Sequence, residues 1–267
     1  MEFRILGPVE AQHDGRQLTM YGAKQRTVLT ALLLAGDLVV YDAQLGDYLW
    51  GQNAPTTMNA QIYTYVSRLR KVLGPHARIT RHSPGYLMRI GPAWFDLREF
   101  TEQAQRGRVA LAEGRFAEAA DTLAAALSLW RGPALANVST HLAELVRPQL
   151  EEARIAALTD RIDADLALGR HAALVPELTH LVRQYPLQER FRAQLMTAFY
   201  RCDRQADALA VYEQGRRMLA GELGVDPGAL LNGTLQAILN SDPKLFGPSA
   251  EHALAGARMP ALPGVAR

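Results

Sequence analysis

The fold of this chain is decided by residues 57–73, TMNAQIYTYVSRLRKVL. Four apolar side chains recur there at the i, i+4, i+7, i+11 spacing of a helix buried on one face: Ile62, Val66, Leu69 and Leu73. The opposite face carries small and amide side chains in its N-terminal half, cations in its C-terminal half, and no Asp or Glu. A helix that enters the major groove of DNA needs this order, because its early residues reach base edges while its later cations contact phosphate.

The flanking segments complete a DNA-binding fold. On the N-terminal side, residues 3–20 alternate like short strands, and helical spacing of apolar residues begins near Ala23 and again near Leu45. On the C-terminal side, residues 78–81 and 86–90 are predicted to be two strands joined by a turn. Three helices followed by a hairpin predict a winged helix-turn-helix, which is an α+β fold.

Charge is unevenly distributed along the chain. Residues 61–92 hold six Lys or Arg and no Asp or Glu, whereas the formal net charge of the whole chain is only +2. Residues 1–92 carry a charge of +4, and residues 93–267 carry −2. Fixed positive charge attracts a phosphate backbone and releases its counterions, so the N-terminal part is predicted to bind double-stranded DNA. On charge alone, a solvated basic surface without a ligand is the alternative.

After residue 92 the sequence changes to helices rich in Ala and Leu, in which a short fragment recurs. Its copies are GRFA at 114–117, GRHA at 169–172 and DRQA at 203–206. The interval from Arg170 to Arg204 is 34 residues, the period of tetratricopeptide repeats. The preceding interval, from Arg115 to Arg170, is 55 residues and leaves room for a longer helix across 141–168. An irregular helical bundle is the alternative.

The predicted fold class is therefore mainly α, with an N-terminal winged helix-turn-helix followed by an all-α, tetratricopeptide-like domain. We expect a DNA-binding domain over residues 1–92 and a helical domain over residues 93–242. Gly, Pro and Ala dominate residues 243–267 without periodicity, and this segment is predicted to be a flexible tail.

The candidate DNA-binding residues fall into three groups. Those expected to lie towards bases are Ala60, Gln61, Thr64, Ser67 and Arg68. Those expected to lie towards phosphate or a minor groove are Arg70, Lys71, Arg78 and Arg81. The remaining candidates are Thr57, Asn59, Tyr63, Thr80, His82, Ser83, Tyr86, Lys24 and Arg26. Gln can bond an adenine edge twice, Thr or Ala can meet a thymine methyl, and a minor groove attracts Arg. For Lys24 and Arg26, ordinary solubilising charge is an equal alternative.

Signals of a catalytic or metal site are scarce. The seven histidines are scattered, and the sequence contains no dinucleotide fingerprint, nucleophile elbow, phosphate-binding loop or cysteine cluster. We therefore expect no enzyme, no ATPase, no cofactor and no metal. A scaffold whose helical repeats bind peptides or helices is the other alternative. Its binding would depend weakly on salt, whereas binding to DNA weakens steeply as salt rises.

The cellular location is predicted from cysteine usage and hydropathy. Cys202 is the only cysteine, which suits a reducing compartment. No apolar run approaches the roughly 20 residues that span a bilayer, and the N-terminus lacks the features of a signal peptide. We expect a cytoplasmic protein without membrane contact.

Short motifs along the chain resemble those of one family of bacterial regulators. In chain order they are LGPV at 6–9, AKQR at 23–26, LLL at 32–34, LWG at 49–51, YVSRLR at 65–70, PGY at 84–86, LWRGPAL at 129–135 and ELGVDP at 222–227. On these motifs the sequence resembles the Streptomyces antibiotic regulatory protein (SARP) family over residues 2–240. Single motifs are modestly specific, but their shared order is highly so.

The resemblance implies an OmpR-type winged helix joined to a bacterial transcriptional activation domain. Such proteins activate operons, often for secondary metabolites such as antibiotics, by binding direct repeats side by side near a promoter and recruiting RNA polymerase. Residues 65–70 would belong to the recognition helix and residues 82–86 to the wing. A loop that can face region 4 of the polymerase sigma factor would comprise Trp50, Gly51, Gln52, Asn53, Ala54 and Pro55. The C-terminal domain of the polymerase alpha chain is a further expected partner.

Overall fold

The structure, a computed structural model, describes residues 1–246. The chain folds into two compact units. Of the described residues, 1–105 and 124–157 form the first unit, and 106–123 and 158–246 form the second. The predicted fold class is confirmed, because a small β region with three helices precedes a helical continuation.

The first unit begins with the elements of a winged helix-turn-helix. Its strands are β1 (Glu2–Arg4), β2 (Glu10–His13), β3 (Arg16–Gln17), β4 (Val40–Tyr41), β5 (Arg78–His82), β6 (Gly85–Arg89) and β7 (Trp94–Phe95). Its first helices are α1 (Ala23–Ala35), α2 (Asp42–Trp50) and α3 (Met58–Leu73), and a 3-10 turn follows at Gly74–His76. The three predicted helices and the hairpin after them are therefore confirmed.

The strands form two small sheets. In the first, with the order β3-β2-β1-β7, strand β1 is antiparallel to β2 and parallel to β7. The second has the order β4-β6-β5, and its hairpin pairs Arg78 with Arg89 and His82 with Gly85. Strand β7 lies beyond residue 92, so the segment that follows the predicted DNA-binding domain contributes a strand to the first sheet.

The core of the first unit contains the residues that the sequence pattern assigns to it. The buried members of the N-terminal alternation are Phe3, Ile5, Val9 and Ala11. The fully buried members of the α3 stripe are Ile62, Val66, Leu69 and Leu73. Helix α3 packs on α1 and α2. Burial of each large aliphatic side chain stabilises the fold by roughly 1.5–3 kcal/mol, so this stripe determines which face of α3 remains in solvent.

Three helices contribute residues to both units, and they are α4 (Asp96–Ala112), α5 (Phe116–Ser128) and α6 (Thr140–Ala167). Helix α6 is 28 residues long, which confirms the long helix predicted across 141–168. The segment between α5 and α6, residues 129–139, belongs to the first unit.

That segment is bound to the turn after β1. The main-chain N–H of Arg131 donates to the carbonyl of Leu6 at 2.8 Å, and that of Leu135 donates to Ile5 at 3.1 Å. Gly7 has a φ of +147°, and a Cβ at this position would lie 3.1 Å from the Cβ of Arg131. Glycine therefore allows the close approach of two segments that are more than a hundred residues apart, and both segments lie in motifs of the SARP resemblance.

The second unit continues with α7 (His171–Gln184), α8 (Glu189–Arg201), α9 (Gln205–Leu223) and α10 (Ala229–Leu239), followed by a 3-10 turn at Pro243–Phe246. Helices α7, α8 and α9 pack on one another in succession, and α10 packs on α8. The predicted tail begins with that 3-10 turn, and the rest of the tail lies outside the described residues. Within residues 1–246, no helix is long and apolar enough to cross a membrane.

The three recurring fragments share one backbone geometry. The residue before each Arg has a positive φ, which is +75° at Gly114, +77° at Gly169 and +59° at Asp203. The next N–H, that of Arg115, Arg170 or Arg204, donates to the carbonyl five residues earlier at 2.9–3.0 Å. This is the hydrogen bond of a Schellman helix end. The recurrence in sequence therefore marks a repeated helix stop, directly before α5, α7 and α9.

Gly169→Ala should lower the free energy of unfolding by roughly 1 kcal/mol, because an L residue is strained at this positive φ. No atom lies within 4 Å of the added Cβ, so the cost is conformational rather than steric. Gly221→Ala is the matched control, since Gly221 is exposed inside α9 and its added Cβ also meets nothing. The control should gain roughly 0.5–1 kcal/mol. Urea unfolding measures both, and shifts of the same sign would contradict the assigned geometry.

Candidate DNA-binding surface

Helix α3 presents a polar face to solvent opposite its buried stripe. The exposed residues of this face are Asn59, Ala60, Tyr63, Thr64, Arg68 and Lys71, preceded by Thr57. The half-buried residues at its edges are Gln61, Ser67 and Arg70. The helix contains no acidic residue. Its exposed surface therefore combines small and polar groups near the N-terminus with cations near the C-terminus.

The polar groups of the N-terminal half are engaged within the helix. The Nε2 of Gln61 donates to the Thr57 hydroxyl at 3.0 Å, and its Oε1 accepts from the Tyr65 hydroxyl at 3.3 Å. The Thr64 hydroxyl donates to the carbonyl of Ala60 at 2.9 Å. A two-point contact from Gln61 to adenine would have to replace both of its bonds. Thr64 and Ala60 need no such rearrangement to meet a thymine methyl.

Two neighbouring cations of α3 differ in their surroundings. Arg70 is half-buried, and its Nε donates to the carbonyl of Ile79 in β5 at 3.0 Å. Lys71 is exposed and, among the described residues, takes part in no ion pair. The Nε of Arg70 thus holds the hairpin against α3. Contact with phosphate stays a prediction for both Arg70 and Lys71.

Arg81 is bound by a carboxylate that precedes it by 39 residues. It forms two hydrogen bonds of 2.6 Å with Asp42 in the first turn of α2. Its guanidinium also lies 4.5 Å from the ring centroid of Tyr86. The hydrogen bonding of the Arg81 guanidinium to the Asp42 carboxylate is the largest of the effects that raise the pKa of Arg81. The charge of Arg81 is therefore compensated, although 43% of its side chain is exposed.

Tyr86 does not reach the surface. Only 3% of the residue is exposed, and it lies in β6 beneath Arg81. The prediction that Tyr86 contacts DNA is therefore wrong, because its ring supports Arg81 from inside the wing. The unbroken apolar run of Tyr86, Leu87 and Met88 could have indicated this, because such a run is typical of a strand that is buried on both faces, and residues 85–88 are indeed all buried.

The tip and outer edge of the hairpin are open to solvent. His82 and Ser83 at the tip and Arg78 at the start of β5 are exposed. Within the described chain, Arg78 has no ion pair. Thr80 is half-buried, and its hydroxyl donates to the carbonyl of Leu87 at 3.4 Å. Arg78 therefore supplies uncompensated positive charge beside α3.

The two cations of α1 have structural partners. The Nζ of Lys24 lies 4.7 Å from the ring centroid of Trp50. The guanidinium of Arg26 donates to the carbonyl of Asn137 at 2.8 Å and to that of Met20 at 3.1 Å. Arg26 therefore joins α1 to the segment before α6, and its contact with phosphate stays a prediction.

The loop between α2 and α3 has a fixed base and an open tip. Residues 52–54 are exposed, whereas Trp50, Gly51 and Pro55 are half-buried. Gly51 has a φ of +59°, and a Cβ added to it would lie 2.9 Å from the ring of His141. Before the loop, the carbonyl of Tyr48 accepts a hydrogen bond of 2.5 Å from the Ser139 hydroxyl.

Fold and surface together define a class of protein. The winged helix-turn-helix exposes an acid-free helix face beside a basic hairpin, and residues 95–239 match the bacterial transcriptional activator domain family. Within the described residues, no group of three or more His, Cys, Asp or Glu side chains could hold a metal ion. This is the architecture of a bacterial transcriptional regulator.

The chain belongs to the Streptomyces antibiotic regulatory protein family. It is 42% identical to the regulatory protein AfsR of Streptomyces coelicolor over 98% of this chain, but this match covers only 27% of AfsR. It is 35% identical to the regulatory protein DnrI of Streptomyces peucetius, with 91% of this chain and 93% of DnrI covered. The chain thus spans about a quarter of the length of AfsR and nearly all of DnrI.

A solved structure has the same fold. Mycobacterium tuberculosis EmbR, in complex with a low affinity phosphopeptide, matches with a TM-score of 0.85 and 35% sequence identity. The match covers 96% of this chain and 69% of the EmbR chain. EmbR is therefore similar to this protein in both sequence and fold.

Proposed function

We propose that this protein activates transcription by binding specific DNA sequences through α3 and the hairpin of β5 and β6. The observation that carries this proposal is the contrast between the two faces of α3. Its apolar stripe is fully buried, whereas the opposite face is exposed and free of acidic residues. A helix that served only as a structural support would not need to keep Arg68 and Lys71 exposed and unpaired among the described residues.

Different exposed positions of α3 would recognise bases and contact the phosphate backbone of DNA. Ala60, Thr64 and Arg68 lie on the part of α3 that would enter the major groove, and an Arg there can bond a guanine edge twice. Asn59 and Tyr63 flank them. Lys71 lies near the end of the helix, where phosphate contacts fix the register of the protein on DNA.

The wing supplies a second set of contacts. Arg78 adds an uncompensated charge, and His82 and Ser83 form an exposed tip that fits the narrower minor groove. Arg81 contributes only if it exchanges the Asp42 carboxylate for a phosphate. Its 43% exposure makes this exchange accessible.

Activation requires contacts beyond DNA. We propose that protomers bind side by side on direct repeats and that the exposed tip of the α2–α3 loop, residues 52–54, faces region 4 of the polymerase sigma factor. The fixed base of this loop supports the idea, because a rigid projection loses little conformational freedom when it binds. The helical domain would support self-association and contact with the C-terminal domain of the polymerase alpha chain. Control of an antibiotic biosynthetic cluster is consistent with the named relatives.

Lys71→Ala and Arg68→Ala should have different effects on DNA binding. Lys71→Ala should weaken binding to a selected site and to scrambled DNA equally, and reduce the salt slope by about one unit. Arg68→Ala should weaken the selected site by roughly 1–3 kcal/mol, through one base pair, and leave scrambled DNA nearly unaffected. Fluorescence anisotropy titrations between about 50 and 200 mM salt, on a site obtained by in vitro selection, separate the two outcomes.

Arg183→Ala is the control for both variants. Arg183 is an exposed cation on α7, in the second unit, and removing it changes the net charge by the same amount. It should leave the affinity and the salt slope unchanged. The proposed division fails if Lys71→Ala and Arg68→Ala lose affinity in parallel on both DNAs, and the whole proposal fails if all three variants bind like the parent.

Asp42→Asn should increase the affinity for any DNA sequence. The substitution removes the carboxylate that compensates Arg81, so one more cation becomes available to phosphate and the salt slope should rise by about one unit. Asp47→Asn is the matched control, since Asp47 is an exposed carboxylate on the same helix and forms no ion pair in the described chain. If the two variants behave alike, the effect comes from net charge and Arg81 does not exchange partners.

Gln52→Ala combined with Asn53→Ala should reduce activation without reducing DNA binding. In vitro transcription from a promoter that carries the selected site should fall by roughly three- to tenfold, the loss expected for one or two polar contacts. Gln17→Ala, on the exposed strand β3, serves as the control. Parent-level transcription by the double variant would reject the loop as a polymerase contact, whereas a parallel loss of DNA binding would place it on DNA.

A further inference from the structure

A cavity of about 680 Å³ lies inside the first unit, away from the candidate DNA-binding face. One wall is formed by the C-terminal half of α1, by β4 and by α2. The other wall is formed by the first turns of α4 and by the first half of α6. Cavities that hold small molecules in proteins usually measure about 300–1,000 Å³, so this one has a suitable size.

The lining of the cavity is apolar and uncharged. It is made mostly of Leu, Val and Ala side chains, and none of its residues is charged. Leu38 is 72% exposed at the rim, while Leu34, Val39 and Val146 are half-buried. The free energy of the system falls when a ligand covers apolar surface that would otherwise contact water. A charged ligand would lose its hydration here without meeting an opposite charge.

The few polar groups of the lining could orient a ligand through hydrogen bonds. The Nε2 of Gln44 donates to the hydroxyl of Tyr48 at 2.8 Å, which leaves the hydroxyl proton of Tyr48 for another acceptor. The hydroxyl of Thr101 donates to the carbonyl of Leu97, so its oxygen can accept. Gln149 adds an exposed amide. A ligand with a carbonyl or ether oxygen near Tyr48 would find a donor in an otherwise apolar site.

We propose that this cavity binds an uncharged, largely apolar small molecule that carries one or two hydrogen-bonding oxygens or nitrogens. Its walls include both helices that pack behind α3, so an occupant would contact the support of the recognition helix directly. The binding step itself is independent of the proposed function, because it requires neither DNA nor polymerase.

A pair of dyes with the same ring framework tests the chemical class of the ligand. N-phenyl-1-naphthylamine is uncharged, and 8-anilino-1-naphthalenesulfonate adds a sulfonate to the same skeleton. In titrations of the full chain followed by fluorescence, the uncharged dye should bind saturably with one molecule per chain. The sulfonate should bind at least about tenfold more weakly, because the lining has no cation. Equal affinities, or no saturation by the uncharged dye, would overturn the proposal.

Two matched pairs of variants test the location. Leu38→Ser removes an exposed leucine of the lining, and Leu145→Ser removes a similarly exposed leucine of α6 outside it, with exposures of 72% and 65%. Ala153→Trp should fill the cavity from its rim on α6, whereas Glu152→Trp adds the same ring outside it. Dye affinity should fall about tenfold or more in Ala153→Trp, fall in Leu38→Ser, and stay unchanged in both controls.

Thermal unfolding and light scattering separate a loss of dye binding from misfolding and from self-association. If Ala153→Trp lowers the unfolding temperature, Leu38→Ser still decides the location, because a substitution at such an exposed position leaves the core intact. Equal dye binding by Leu38→Ser and Leu145→Ser would then overturn the proposal. A second copy of the chain could also cover the cavity. Dye binding only after dilution to monomers would show that the cavity is an interface, and the proposal would fail.

Discussion

The first unit depends on a buried carboxylate that fixes the end of strand β1. Asp96 is 1% exposed, and its two oxygens accept the main-chain N–H groups of Ile5 and Leu6 at 2.8–2.9 Å. Burial raises the pKa of Asp96 and outweighs these hydrogen bonds, which lower it. The carbonyls of the same two residues accept N–H groups from Leu135 and Arg131. The N–H groups of the turn after β1 thus bind Asp96 of α4, and the carbonyls of the same turn bind the segment before α6.

The winged helix is therefore completed by residues far along the chain. Strand β7 pairs with β1, and residues 129–139 bind the turn after β1 and the side of α1. The match to the activator domain family begins at residue 95, inside β7, although the compact unit continues through residues 124–157. A piece that ended at residue 92 would lack one strand of the first sheet and the partners of Ile5 and Leu6. Changes in composition, such as the one near Pro92, do not mark the limits of a cooperative packing unit.

Local patterns predicted the elements of the candidate DNA-binding surface, because local spacing decides which face of a helix is buried. The stripe of Ile62, Val66, Leu69 and Leu73 gave the orientation of α3, and the positions of Gly114 and Gly169 marked where helices stop. Positive φ at a helix end favours glycine, so a repeated stop leaves a repeated signal in the sequence. Asp203 at the third stop shows that the geometry, rather than the glycine itself, is what recurs.

Partners of charged side chains could not be predicted in the same way. Asp42 and Arg81 are 39 residues apart, and Arg26 and Asn137 are 111 apart, so no local period connects them. The stretch from residue 61 to residue 92 lacks acidic residues, yet the fold places Asp42 of α2 against the wing. Charge counted along a sequence therefore overestimates the uncompensated charge at a surface, since a carboxylate from a distant segment can neutralise a cation, as Asp42 does for Arg81.

The same helix that compensates the wing also supports the two surfaces proposed for DNA and polymerase. Asp42 at the start of α2 holds Arg81, while Gly46 in its middle lies so close to α3 that an added Cβ would meet the sulfur of Met58. At its end, the carbonyl of Tyr48 is bound by Ser139. Because 43% of the Arg81 side chain is exposed, a phosphate can reach its guanidinium and compete with Asp42 for it. If Arg81 binds a phosphate in place of Asp42, the contacts that α2 makes at Gly46 and Tyr48 stay the same. DNA could thus take over the wing cation while α2 keeps α3 and the following loop in place, which would let one rigid element present both surfaces at once.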